Sequence, residues 1–362
     1  MKTRLRAFIT DCEGPISKND NAFELMSRVV PRGDYVFTLI SRYDDFLADV
    51  VKKPGYKAGD TLKLILPFLK AYGATNALLR KYSAQNILLV PMADETLRVI
   101  NGFMPSFIVS TSYEHYITAL CDIIGFPKTN VYCTRLDIDK YGVPEGELAR
   151  LRAICQEISL MPMIEIPGEA KSVNDLSEDS RRTIKRLDEI FWKEISYMQA
   201  GAMIKEVNPV GGFEKANSVI DITKKLGVPL SDVIYVGDSI TDVDPFRLIR
   251  AAGGLTVSFN GNRYAVREAE IAVMSHHTDI TTVLAFVFNQ FGKEKVLSLV
   301  EERSWETLKS TCDSALFQRI MKSFSGRLPR VERITSENVK RLTAESSAFR
   351  KTVRGEAVAR LG

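Results

Sequence analysis

Short apolar runs that stop at a small or acidic residue constrain this chain more than any other feature of it. The runs are Leu5 to Thr10 before Asp11, Ser106 to Val109 before Ser110, Val131 to Thr134, Val233 to Val236 before Gly237, and Leu255 to Phe259. Each has strand length, and most are followed by apolar residues spaced at three and four. Strands alternating with helices build a parallel sheet with crossover connections. The expected class is therefore α/β with a Rossmann-like parallel sheet. In open sheets of this kind ligands gather beyond the carboxyl ends of the strands, so the residues that follow the runs are the ones to read for function.

The chain has 362 residues, which implies two domains or one domain with large insertions. The strand runs place a core in residues 1–14, 93–142 and 209–288. Between the first two pieces, residues 15–92 read as a helical cap, in which Val36, Leu39, Ile40, Tyr43, Phe46, Leu47, Val50 and Val51 form one wide apolar helix face. Residues 143–208 read as a second helical insertion, with a helix through Leu148, Leu151, Ile154 and Ile158 and a longer one from about Glu178 to Met203. Residues 289–362 read as a helical, charged C-terminal extension.

Bulk chemistry excludes several classes. A net charge of +4, from 49 basic and 45 acidic residues, gives no strong nucleic-acid signal and no pull toward anionic lipid. The longest apolar stretches fall short of the roughly 18 residues of a membrane span, and Met1 to Arg6 lacks the apolar core of a leader peptide. Five cysteines stand far apart with no C-x-x-C pair, which suits a reducing compartment. The expected location is the cytoplasm.

Four stretches carry the chemistry. Phe8-Ile9-Thr10-Asp11-Cys12-Glu13-Gly14-Pro15 places two carboxylates two residues apart at a strand end. Acids that close call for a cation or a shared proton, and Mg²⁺ is the hard oxygen-seeking ion that accompanies phosphate. Phe107-Ile108-Val109-Ser110-Thr111-Ser112 ends a strand in three hydroxyls. Gly211-Gly212-Phe213-Glu214-Lys215 sets a lysine on the first turn of a helix, as a point charge for phosphate. Val233 to Val236 leads into Gly237-Asp238-Ser239-Ile240-Thr241-Asp242, with two aspartates four apart.

Read in this order, the four stretches resemble the haloacid dehalogenase superfamily, and the context from Ser110 to Gly125 and from Val131 to Asp139 is most similar to its phosphoserine-phosphatase-like members. The Thr-Asp-Cys-Glu-Gly-Pro start also resembles archaeal members grouped with energy-converting hydrogenase subunits. The resemblance implies a Mg²⁺-dependent phosphatase acting on a small phosphorylated metabolite. By it, Asp11 attacks phosphorus and forms an aspartyl-phosphate, and Glu13 serves as general acid and base. Asp11, the backbone carbonyl of Glu13 and Asp238 hold the metal. Ser110, Thr111 and Lys215 bind phosphoryl oxygens, and Asp242 supports the lysine or the metal. Transfer to an acceptor other than water would use the same residues.

One departure bears on activity. The family's phosphatases place a second aspartate where this chain has Glu13, and Pro15 replaces the hydroxyl residue that usually follows. Glutamate is longer by about 1.5 Å, and a misplacement of about 1 Å costs roughly a hundredfold in rate. The rival expectation is a weakly active or non-catalytic accessory protein of the same fold that binds a larger complex. The basic residues of the tail, among them Arg319, Arg330, Arg341, Arg350 and Arg354, read as an exposed mixed-charge surface, with an acidic protein partner as the alternative. His115 reads as structural. So do the adjacent His276 and His277, whose side chains diverge, and Cys12 reads as packing.

Overall fold

The computed structural model describes residues 4–361 apart from 303, 326 and 360. Met1 to Thr3, part of the stretch read for a leader, lie outside the described residues. Seven strands form one sheet: β1 (Ala7–Thr10), β2 (Ser106–Tyr113), β3 (Val131–Thr134), β4 (Val233–Gly237), β5 (Leu255–Phe259), β6 (Ile271–Met274) and β7 (Arg330–Arg333), in the order β3-β2-β1-β4-β5-β6-β7. All neighbours run parallel except β6 and β7. This is the Rossmann-like α/β architecture that the alternating runs imply.

The central strands are apolar at successive positions because helices cover both faces of the sheet. Ala7 and Ile9 pack on one side with Val109, Val233 and Tyr235, while Phe8 packs on the other with Ile108, Ile234, Val236 and Val257. The chain leaves β1 toward β2 on one side and returns to β4 on the other, so the order reverses between β1 and β4. Such a switch point opens a crevice at the carboxyl ends of the two strands. The register pairs Thr10 with Val236, and Asp11 N–H donates to Val236 O at 2.8 Å. Asp11 and Asp238 are thereby brought to the same edge.

The two helical insertions share one apolar core. Leu39, Ile40, Tyr43 and Phe68 from the first are buried with Leu151, Ile154, Phe191 and Ile195 from the second. The Tyr43 ring stacks on Phe191 with centroids 6.0 Å apart, and the Tyr43 hydroxyl donates to Asp188 at 2.5 Å. The long helices expected here are interrupted. Helix Gly33–Asp45 runs into a π turn over Phe46–Val50. Helix Glu178–Glu189 gives way to a π turn at Ile190–Glu194, a 3₁₀ turn at Ile195–Tyr197 and a separate helix Gly201–Glu206. A π turn adds a residue to the helical repeat, and here Ile190, Phe191 and Ile195 all face inward.

The tail is mostly helical, but it also supplies β7, which the sequence hides: Arg330-Val331-Glu332-Arg333 has one apolar residue. As an edge strand it needs no more, since Val331 turns inward and the charges stay at the margin. Helix Val339–Arg354 follows, with Leu342 packed against Val266, Ala272 and Met274. No helix among the described residues is long and apolar enough to cross a membrane.

Candidate functional site

Asp11 follows β1 directly and is 5% exposed. Its Oδ1 accepts from Cys12 N–H at 2.7 Å, and its Oδ2 lies 2.6 Å from Lys215 Nζ. Lys215 is wholly buried and also donates to Asp242 Oδ1 at 2.8 Å. Burial opposes a charged lysine, yet Asp11 and Asp242 outweigh it and hold the ammonium above its ordinary range. Burial pushes Asp11 up to about 7 despite the attraction of Lys215, with Asp242 and Asp238 adding to the rise.

Asp242 is a structural hub. Its Oδ1 also accepts from Tyr235 OH at 2.8 Å, and its Oδ2 accepts from the backbone N–H groups of Asp238 and Ser239 at 2.9 and 3.1 Å. These bonds close the turn after β4, and a side chain at Gly237 would meet Asp242 Cγ at 2.4 Å. The second aspartate of the four-residue spacing therefore fixes the first, and glycine is the residue that admits it.

Ser110 and Thr111 lie in the second half of β2, which runs on to Tyr113, beside this group. Ser110 Oγ accepts from Ser112 N–H and donates to Ser112 Oγ, both at 3.2 Å. Thr111 Oγ1 is buried without a hydrogen-bond partner, so a ligand oxygen there would satisfy it. Glu13 Oε1 accepts from Asn21 N–H at 2.7 Å, at the start of helix Asn21–Val29 that Asp20 caps. Burial first, and then Asp20, raise the Glu13 carboxyl well above the usual range against the pull of that N–H, Arg354 and Ser112.

One cavity of about 90 Å³ is lined by Asp11, Glu13, Ser110, Thr111 and Asp238 from the core and by Asp20, Phe37, Asp44, Asp45 and Thr61 from the cap. A single water needs ~10–15 Å³ by this measure, so the space suits a small group. Asp44 is driven up to about 8 by burial and by Asp60, and Asp45 to about 6 by burial. The three cap aspartates were not legible in sequence, because nothing in their local pattern distinguishes them from solvated acids.

Two further lining residues overturn a sequence expectation. Arg350 and Arg354, read as exposed tail charges, are buried against the site. Arg350 Nη1 donates to Asp238 Oδ2, and Arg354 Nη1 meets the same oxygen at 3.1 Å. Arg354 also donates from Nε to Lys18 O at 3.0 Å and from Nη2 to Asn19 O. The available signal was a stripe at four-residue spacing, Leu342, Ser346, Arg350 and Arg354, which puts one face of a helix against the core. Ser346 confirms that face by donating to Gly261 O at 2.7 Å.

Whether Mg²⁺ fits is decided by these partners. Carboxylate oxygens of Asp11, Asp238 and Asp242 lie within 4.8 Å of one another, a grouping suited to a hard cation. But Asp242 is spent on Lys215, Tyr235 and two backbone donors, and Asp238 Oδ2 is taken by two guanidinium groups. Glu13 Oε1 accepts from Asn21 N–H. With the C-terminal helix in place, Asp242 and Asp238 Oδ2 are not free to hold a divalent ion.

Other residues singled out in sequence lie elsewhere. His115 Nε2 pairs with Asn76 Oδ1 at 3.1 Å. The rings of His276 and His277 pack against Phe349 and Phe324. Cys12 is buried in the core.

No family model matches the sequence, and no curated protein does. Among solved structures, that of gene product AF1437 from Archaeoglobus fulgidus matches over 99% of both chains, at 26% identity and a TM-score of 0.80. A phosphoserine phosphatase in apo form matches at 13% identity and a TM-score of 0.40, over 76% of this chain and 96% of that one. A haloacid dehalogenase family hydrolase, t0658 from Salmonella enterica serovar Typhi, matches at 12% identity and a TM-score of 0.41, over 76% and 68%. None bears on the likeness to hydrogenase-associated proteins. Across practically its whole length, this chain is similar in fold to the Archaeoglobus protein.

Proposed function

We propose that the protein hydrolyses a small phosphate monoester by the aspartyl-phosphate route of the haloacid dehalogenase superfamily. The observation that carries this is the convergence of Asp11, the Ser110 and Thr111 hydroxyls and Glu13 on one small cavity at the switch point of the sheet, with buried Lys215 paired to Asp11 behind it. An Asp11 oxygen attacks phosphorus, the ester P–O bond breaks, and the leaving oxygen takes the proton of Glu13. Water then attacks the phosphorus of the aspartyl-phosphate, gives its proton to Glu13, and releases phosphate with Asp11 restored. Lys215 neutralises charge on Asp11 and the phosphoryl group, and the hydroxyls donate to phosphoryl oxygens. The helical cap excludes water and limits substrate size. The Mg²⁺ that the resemblance implies would meet Arg350 and Arg354 on Asp238 Oδ2, so these roles rest on the chain's own residues.

A screen of phosphorylated metabolites, read as phosphate release, tests the proposal. Turnover that Asp11→Asn abolishes supports it; a folded protein inert across the panel sinks it. The second reading, an accessory protein without turnover, is favoured by the side chains already committed within the site: Glu13 to Asn21 and Asp238 to Arg350. A protein partner for the tail belongs to that reading. It would have to engage charges that already pair internally, such as Arg333 with Glu301 and Arg341 with Glu332.

A further inference from the structure

We propose that Arg350 and Arg354 are the resident cation of this site: their guanidinium groups hold the position on Asp238 that a divalent ion would otherwise take. The inference rests on the phosphate-handling reading of the cavity only for its purpose, not for its geometry.

The charge is suitable. Two guanidinium groups bring two positive charges to one carboxylate oxygen, and neither loses its proton in a protein. The placement is built rather than incidental. Arg350 and Arg354 stand one helical turn apart at the C-terminal end of Val339–Arg354, and Arg354 lies in its last turn, where the helix dipole favours cations. Leu342 anchors the same face in an apolar cluster, Ser346 bonds Gly261, and β7 ties the segment to β6. Arg354 is locked from the other side by the carbonyls of Lys18 and Asn19, so one side chain spans the loop after β1, Asp238 and the tail.

The arrangement is also costly to undo. Asp238 is 1% and Arg350 2% exposed, and separating partners so deeply buried strands a charge without solvent. A hydrated dication approaching Asp238 would meet two fixed positive groups. The Arg350 Nε is buried with no acceptor, so the guanidinium keeps donor capacity that a bound oxyanion would use.

Calorimetric titration of the metal-stripped full chain with Mg²⁺ alone tests the inference. No saturable binding is expected in the parent. Arg350→Met, checked by thermal melting, should acquire one Mg²⁺ per chain, Arg350→Lys should not, and Asp238→Asn in the Arg350→Met background should lose the gain. Saturable Mg²⁺ binding by the parent that Asp238→Asn abolishes would overturn it, and this arm needs no Arg350 variant to fold. A parallel titration with inorganic phosphate separates the two proposals. Phosphate bound equally with and without Mg²⁺ supports both, and phosphate bound only with Mg²⁺ overturns the resident cation. Phosphate bound in neither condition removes the phosphatase reading, while the Mg²⁺ titration still decides the cation.

Discussion

The backbone of Gly14 passes so close to Asp238 that a side chain on Gly14 would stand 2.2 Å from the Asp238 Cγ. Gly14 also holds φ at +109°, a conformation that residues with a Cβ rarely adopt. Gly14→Ala should therefore displace Asp238 and destabilise the protein by at least 1–3 kcal/mol, on the order of other overpacked sites. Thermal melting and chemical denaturation read the loss, and a variant as stable as the parent would contradict the geometry.

The Lys215 and Asp242 pair should behave as one unit. Lys215→Met leaves Asp11 and Asp242 buried without their cation, a change that typically costs about 3–5 kcal/mol. Asp242→Asn strands Lys215 in part and weakens the turn that carries Asp238. Because the residues share a bond, the double variant should cost less than the two single losses together. Denaturant unfolding of the four proteins measures that coupling, and strict additivity would show that the pair does not interact.

Glu13→Gln keeps an acceptor for Asn21 N–H while removing the transferable proton. If Glu13 works as general acid, turnover should fall by roughly 10²–10⁴ with the melting temperature unchanged. The parent's rate should rise as pH climbs through about 7, where Asp11 becomes a carboxylate. A falling limb should mark the loss of the proton that burial and Asp20 hold on Glu13 above the usual carboxylate range. The falling limb should vanish in Glu13→Gln.

Stability should move the opposite way with pH. The folded chain keeps protons on Asp11 up to about 7 and on Asp44 up to about 8, whereas both ordinarily ionise at 3.8. Between those values the native state binds more protons than the unfolded state, so stability falls as pH rises from about 4 to about 8. Asp44→Asn should flatten the upper part of this slope. Melting temperatures measured from acidic to mildly alkaline pH check it, and a parent that gains stability over that range would refute it.

The core of this arrangement is legible in the sequence because parallel strands buried on both faces must be apolar throughout. Runs such as Val233 to Val236 mark the strands and point to the residue that follows. Asp11, Ser110, Asp238 and Asp242 are found that way, and Lys215 from the two glycines that open its helix. The tail is not, because Arg350 and Arg354 lie among Lys340, Glu345 and Lys351, and a charge in such company looks solvated. Only the four-residue stripe beginning at Leu342 separates them, and it depends on knowing which helix face is covered. The cap acids escape for a related reason: Asp44 and Asp45 are the last residues of a helix that widens into a π turn at Phe46, so spacing alone does not say which way they face.

The shared core of the two helical insertions sets a schedule for biosynthesis. Tyr43 finds Asp188 across 145 residues, and ribosomes add roughly 5–20 residues per second. The apolar face around Tyr43, Phe46 and Leu47 therefore waits on the order of ten seconds or more for Phe191 and Ile195 to emerge. Nascent chains stalled within that interval would present a sticky, half-built bundle, and these are the chains on which a ribosome-associated chaperone would act.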